Sequence, residues 1–243
     1  MTDKGERRDF LEYLKVQEAF DAKVAEIDQV EKFDTSFGVD TSTPFESWDA
    51  GEADNFDLLN NYRYSPSPTG ILRAVMSQVP VDYEEVAFID FGSGKGRVLL
   101  VASEFPFKRI IGVELSGHLC DIATHNVMRY DSPSKRCDDF DIRHQSAEEF
   151  EIPDDAGVFY FYEPFSAAVT ERVLENIERS LRRVPRAAVI CLVGRALVPV
   201  VEGRAPWVPY GPVVKSPDDD YFDARLFTVH AAGADTAGSG SAT

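Results

Sequence analysis

The chain has 243 residues, 25 of them Lys or Arg and 42 Asp or Glu, for a formal net charge of −17. That excess excludes unaided electrostatic binding to nucleic acid or to an anionic membrane as the main business of the surface. A 44% hydrophobic content allows a sizeable core in one large domain or two small ones. Cys120, Cys137 and Cys191 provide neither a disulfide framework nor the close Cys/His spacing of a zinc site. Residues 1–10 lack the apolar core of a signal peptide, and no run approaches a membrane span. These features predict a soluble, cytoplasmic protein of a reducing compartment.

Residues 1–60 hold sixteen acids and six bases. Within them Phe10, Tyr13, Val16, Phe20, Val24, Ile27 and Val30 recur at spacings of three and four, which predicts one helical face or two in succession. From Phe33 to Asn60 there is no base, and Phe33, Phe37, Phe45, Trp48 and Phe56 are scattered among acids. That stretch predicts an irregular segment packing over the main domain through its aromatics, so residues 1–60 are expected to form a helical and aromatic lid. A solvated leader is the alternative.

Residues 61–230 read as the main domain. Ser67 and Pro68 resemble an N-cap followed by proline at the first helical position, opening a helix through Ile71, Leu72, Val75 and Met76. A strand at Val86–Asp90, a glycine turn and a helix at Arg97–Ser103 come next. The strand Arg109–Glu114 then leads into a helix carrying Leu119, Ile122, Ala123 and Val127. Strands follow at Phe140–His144 and Val158–Tyr162, then a helix with Val169, Val173, Leu174, Ile177 and Leu181 on one face, then a strand at Ala187–Val193. Strand–helix alternation with near-continuous apolar strands implies a parallel sheet covered on both faces. Trp207–Lys215 and Ala224–His230 have no helix between them and predict an antiparallel hairpin at one edge. Residues 231–243 contain only Ala, Gly, Ser, Thr and one Asp, the composition of a disordered tail.

The stretch with the most chemical content is Phe88-Ile-Asp-Phe-Gly-Ser-Gly-Lys-Gly-Arg97. Gly92, Gly94 and Gly96 sit between a strand and a helix, where a ligand can approach the backbone without meeting a Cβ. A dinucleotide-binding turn needs Gly-x-Gly-x-x-Gly, whereas here Arg97 stands at the last position and the glycines alternate. Asp90 precedes the first glycine by two residues. Glu114, at the end of the second strand, is placed to accept hydrogen bonds from both hydroxyls of a ribose. A plain strand–helix connection or a nicotinamide-dinucleotide site remain the other readings of this turn.

Ile89–Arg97 together with Gly112-Val-Glu-Leu-Ser116 resembles the first two motifs of class I S-adenosylmethionine-dependent methyltransferases. The resemblance spans roughly residues 64–230. It implies a Rossmann-like α/β fold with a seven-stranded, mostly parallel sheet whose last strand inserts antiparallel between the fifth and sixth. It also implies S-adenosylmethionine as cofactor, with Gly92, Gly94 and Gly96 under its methionine part and Glu114 on its ribose. Asp90 would organise the turn and the cofactor's amino group, and Leu115 would pack on the adenine. Ser146 and Ala147 fall where the family usually places an acidic adenine contact. The variant Gly-Ser-Gly-Lys-Gly-Arg-Val-Leu-Leu further resembles the non-SET nucleosomal lysine methyltransferases. In those, the position of Arg97 reaches the cofactor's carboxylate, a task suited to a guanidinium. Their upstream segment closes over the methionine moiety, which places Tyr64 in the cofactor pocket.

The family's fourth motif faces the transferable methyl, and here it reads Tyr162-Glu-Pro-Phe165. Glu163 stands in the polar slot, able to hold an amine, accept its proton or act as base on a hydroxyl, and Phe165 could stack on a planar or cationic acceptor. The alternative keeps Glu163 on the cofactor and both aromatics in the core. His118, His125 and His144 read as structural or exposed. The resulting expectation is a methyltransferase acting on nitrogen or oxygen of a small molecule, with a protein side chain second, no metal, and neither nucleic acid nor membrane as partner. A catalytically silent methyltransferase fold serving as scaffold, and an enzyme using another aminopropyl- or adenosyl-containing substrate, are the competing classes. Oligomeric state is left open.

Overall fold

Alternating apolar strands and amphipathic helices build one seven-stranded sheet whose strands, in spatial order, are Phe140–His144, Arg109–Glu114, Ala87–Phe91, Ala156–Phe161, Ala188–Val193, Asp223–Val229 and Val208–Lys215. The computed structural model describes residue 19 and residues 22–45, 64–217 and 222–229. Helical residues 22–31 form α1, and Phe33–Phe37 form α2. The main domain then runs α3 (Thr69–Met76), β1 (Ala87–Phe91), α4 (Arg97–Ala102), β2 (Arg109–Glu114), α5 (Gly117–Arg129), β3 (Phe140–His144) and β4 (Ala156–Phe161). It continues through α6 (Ala167–Arg183), β5 (Ala188–Val193), α7 (Val198–Glu202), β6 (Val208–Lys215) and β7 (Asp223–Val229).

Strands β1 to β5 pair in parallel, and β7 lies antiparallel between β5 and β6. Strands β1, β4 and β5 are buried along their whole length, as helices on both faces require. One apolar cluster joins α3, α4 and one face of the sheet; a second joins α6 to the opposite face. The strand order reverses between β1 and β4, and the carboxyl ends of the strands at such a reversal are the usual ligand position in open α/β sheets.

Several local expectations need correction. Strand β1 begins and ends one residue later than the sequence predicts, and β4 covers Ala156–Phe161 in place of Val158–Tyr162. The predicted irregular stretch after Phe33 opens with α2, and a short α7 follows β5. Pro68 is the N-cap of α3 and no side chain of its own caps it. Instead Glu31 of α1 accepts from the Thr69 amide at 2.8 Å and the Gly70 amide at 3.1 Å. Ser67 is used elsewhere, accepting from the Tyr160 hydroxyl at 3.3 Å. Val24 and Ile27 enter the core, but Val30 is 79% exposed. The buried face of α1 continues instead through Asp28 and Glu31, one turn on from Val24 and Ile27. Phe10, Tyr13, Val16, Phe20, Trp48 and Phe56, and the tail 231–243, lie outside the described residues.

Candidate functional site

At the carboxyl end of β1 the chain turns through Gly92, Gly94 and Gly96, with φ of +74°, +51° and +85°. These left-handed values are strained for any residue with a Cβ. Space forbids one as well: a Cβ on Gly92 would lie 2.5 Å from Pro164 Cβ, and one on Gly94 would lie 2.3 Å from Tyr64 Cε2. The amides of Gly92 and Ser93 donate to the Val113 carbonyl at 2.8 and 3.1 Å, which ties the turn to β2. Gly96 then caps α4.

Glu114 closes β2 and is 8% exposed. Its Oε2 accepts from the Gly94 amide at 2.8 Å and its Oε1 from the Ser116 amide at 2.9 Å. The carboxylate therefore sits against the second glycine of the turn. Asp90 is 2% exposed, and its Oδ2 is buried without a hydrogen-bond donor among the described residues. Burial, reinforced by the nearby Glu114 charge, pushes the Asp90 carboxyl well above its usual range. Two buried carboxyl groups thus stand close together at the turn, and one of them has an unmet acceptor among the described residues.

Tyr64 covers the turn, its ring against Gly94 and its hydroxyl donating to the Thr41 carbonyl at 2.5 Å. Burial raises its phenol far above the ordinary value, opposed in part by Arg97. The Arg97 guanidinium is also buried, at 2% exposure. It pairs with Asp28 at 2.6 Å, lies 3.6 Å from Asp34, donates to Thr41 Oγ1 at 2.6 Å, and rests over the Phe33 ring. The counter-charges of Arg97 are thus carboxylates of the chain's own N-terminal segment, where the resemblance implied a cofactor carboxylate. Leu115, Ser146 and Ala147 are half-buried beyond the ends of β2 and β3. The Leu115 carbonyl lies 3.0 Å from His144 Nε2, and Ser146 Oγ accepts from the Glu148 amide at 3.3 Å.

Glu163 follows β4 with φ of +42°, a strained value for a residue with a side chain. Its Oε1 accepts from the Arg195 and Ala196 amides at 2.6 and 2.7 Å, so the carboxylate pins the turn after β5. Gly194, at φ +93°, is where that carboxylate passes: a Cβ there would lie 2.3 Å from Glu163 Oε1. Phe165 is 3% exposed and meets Phe161 edge-on within the core, which corrects the expectation that it could stack on an acceptor. Tyr162 is half-buried against Phe222. His118 is exposed and stacks on Phe45, and His125 is exposed on α5. No group of His, Cys, Asp and Glu suited to a metal occurs among the described residues, nor does any helix long and apolar enough to cross a membrane.

The family described as Histone methylation protein DOT1 matches residues 52–154, the segment that carries the glycine turn and Glu114. A putative RNA methyltransferase from Pyrococcus horikoshii superposes with a TM-score of 0.52 at 11% identity, covering 82% of this chain and 98% of that one. The chain has the class I methyltransferase fold. An RNA methyltransferase from Salinibacter ruber in complex with S-adenosyl-L-homocysteine superposes on this methyltransferase fold with a TM-score of 0.49 at 19% identity, covering 68% of this chain and 94% of that one. For precorrin-6y C5,15-methyltransferase from Geobacter metallireducens the values are 0.47, 17%, 65% and 85%. No curated protein matches the sequence.

The site brings together Tyr64, Asp90, Gly92, Gly94, Gly96 and Glu114 around one turn. Sequence reasoning did not find the contacts by which Asp40 and Asn126 hold Lys95, and Asp28 and Asp34 hold Arg97. The helical spacing of Asp28 and Glu31 relative to Val24 and Ile27 was the available signal.

Proposed function

We propose that the protein is an S-adenosylmethionine-dependent methyltransferase whose acceptor is nitrogen or oxygen of a small molecule, with a protein side chain second. The observation that carries the reading is the buried Asp90 Oδ2, without a donor, beside a glycine turn whose second amide is held by Glu114. That arrangement fits the group. The turn offers backbone without Cβ atoms, Asp90 matches an ammonium, and the Glu114 carboxylate matches ribose hydroxyls. When bound, S-adenosylmethionine supplies a methyl group on a sulfonium that is already a good leaving group.

What remains for the chain is alignment and exclusion of water. The turn through Gly92, Gly94 and Gly96 carries the methionine part beside it. Tyr64, whose ring rests directly on Gly94, borders that part, and Leu115, Ser146 and Ala147 border the adenine. Glu163 is the group offered to the acceptor. The two amides on its Oε1 fix the carboxylate in place, and its other oxygen takes no hydrogen bond among the described residues. That oxygen can hold an amine or receive a proton from an amine or hydroxyl. The Pyrococcus neighbour is a putative RNA methyltransferase, but a −17 chain opposes unaided binding of a polyanion.

Calorimetry with S-adenosylmethionine and S-adenosylhomocysteine tests the reading. Micromolar binding of either is expected, and Glu114→Ala should weaken it, each lost bond to a charged group being worth about 1.5–3 kcal/mol. Tight binding of a nicotinamide dinucleotide with neither adenosyl compound bound would overturn it.

A further inference from the structure

Strands β3 and β4 are joined by residues 145–155, which contain no helix. A crossover between parallel strands of one sheet usually carries one, and without it the backbone groups of the segment must find partners elsewhere. Helix α6 supplies them. Asn176 Nδ2 donates to the Glu148 carbonyl at 2.6 Å, and Ser180 Oγ donates to the Ile152 carbonyl at 3.2 Å. Arg172 pairs with the Glu148 carboxylate at 2.6 Å, and Arg183 Nη2 donates to the Ile152 carbonyl at 3.1 Å. Positions 172, 176, 180 and 183 recur at helical spacing and so share one face of α6.

The two ends of this stripe reach opposite edges of the sheet. Ile152 precedes β4, at the amino edge of the parallel strands. Glu148 follows β3, at the carboxyl edge, as do Ser146 and Ala147. Glu148 is held at three points: its amide donates to Ser146 Oγ at 3.3 Å, its carbonyl accepts from Asn176, and its carboxylate pairs with Arg172. The Glu149 amide closes the same turn on the Ser146 carbonyl at 3.1 Å. Phe150 then anchors the turn, buried and edge-on to Phe91, the last residue of β1 before the glycine turn. The Ser146 hydroxyl oxygen, having accepted one amide, keeps a lone pair for a second donor.

We propose that Asn176, supported by Arg172, is a positioning residue for adenine recognition. Acting through Glu148, it holds the Ser146 hydroxyl oxygen where that oxygen accepts from the 6-amino group of the cofactor's adenine. This rests on the cofactor reading above, which sets Ser146 beside that ring. Because α6 starts directly after Glu163–Phe165, one helix ties the acceptor side of the site to the adenine side.

The test is calorimetry of the full chain with S-adenosylhomocysteine and with its purine-riboside analogue, which lacks the 6-amino group. The parent should bind the adenine compound about fivefold more tightly, the worth of a single hydrogen bond. Asn176→Ala should bring that ratio close to one, as should Ser146→Ala, and the double variant should add nothing. Arg172→Ala, at an exposed position, should lower the ratio in the same direction and serves if Asn176→Ala does not fold. Ser180→Ala removes a contact of the same stripe at the far edge, so it should lower the melting temperature and leave the ratio unchanged. A stripe that only holds the fold together would give Asn176→Ala that same result. A ratio near one in the parent, or the parent ratio kept in both Asn176→Ala and Arg172→Ala, would overturn the proposal. Absence of any binding by the parent would instead overturn the cofactor reading. The positioning is then read from ligand-free hydrogen exchange, where Asn176→Ala or Arg172→Ala should speed the Glu148 and Glu149 amides and leave β2 unchanged, and no change there would overturn it.

Discussion

Asp90→Asn should move ligand-free stability and cofactor affinity in opposite directions. The carboxyl is 2% exposed, and its pKa is raised first by burial and then by the charge of Glu114. In the unfolded chain an aspartate ionises near pH ~3.9. Between that value and the raised folded value, the native protein holds a proton that the unfolded chain has lost, so stability falls as pH rises. Below the window both states are protonated and there is no penalty; inside it each pH unit costs about 1.4 kcal/mol. Asparagine has no charge to bury, so the variant should lose this pH slope. It should gain about 1–3 kcal/mol near pH ~8, the scale of a buried polar group left without a partner. For a chain of this size that corresponds to about 2–4 °C in melting temperature per kcal/mol.

Cofactor binding reverses the sign. A ligand ammonium favours the ionised carboxyl, so binding releases a proton and affinity rises with pH until Asp90 is ionised in the free protein. Asparagine should abolish the proton release and weaken S-adenosylhomocysteine by tenfold or more, since a hydrogen bond to a charged group is worth about 1.5–3 kcal/mol. Thermal melts across pH give the first quantity, and calorimetry in two buffers of different ionisation enthalpy gives the second. A variant that is less stable than the parent at high pH and binds with unchanged affinity refutes the assignment, because Asp90 would then be satisfied by the fold alone.

Glu163→Gln keeps an acceptor at the Oε1 position for the two amides of the β5–α7 turn, so melting should change little. If the residue is the base, turnover at saturating cofactor should fall at least ~10²-fold; near-normal turnover there removes it from the chemistry. Glu31→Ala leaves the first amides of α3 uncapped and should cost about 0.5–2 kcal/mol by chemical denaturation, and a loss within error would show that water replaces the carboxylate. Gly92→Ala combines a left-handed φ with a 2.5 Å approach to Pro164. It should destabilise by roughly 1–3 kcal/mol, the usual cost of such backbone strain, and weaken adenosyl-compound binding; a neutral effect on both would mean the turn is free to shift.

The parallel sheet was legible because its signal is local and redundant. Apolar runs such as Ala188–Val193 are buried from end to end, and each lies one short turn from a helix with a 3.6-residue apolar period. The glycine turn was legible for a related reason. Alternating glycines serve few purposes other than positive φ and close approach, and the structure gives all three a left-handed φ. Boundaries moved by a residue or two where apolar runs gave no edge, as at Val86 and Tyr162.

The N-terminal segment was harder because its informative contacts are ionic and distant in sequence. An apolar-stripe rule scores Val24, Ile27 and Val30 as one face, but α1 turns Val30 to solvent and presents Asp28 and Glu31 inward. Those acids look like solvated surface until their partners are known: Arg97, 69 residues from Asp28, and two α3 amides some 38 residues from Glu31. Arg97 hid its partners in the complementary way. A guanidinium beside a ligand-binding turn invites a ligand carboxylate, and only the fold shows two aspartates of the same chain near it. The −10 charge of the first sixty residues was visible as a quantity. Its use was not, because composition records an excess of carboxylates and says nothing of which buried cations they face. Removing even one of these acids would leave Arg97 or Lys95 as a buried charge with fewer partners, a far larger penalty than the loss of a surface ion pair. Asp28, Asp34 and Asp40 of the N-terminal segment are therefore part of the construction around the glycine turn, and their charge cannot be read as a solubility feature alone.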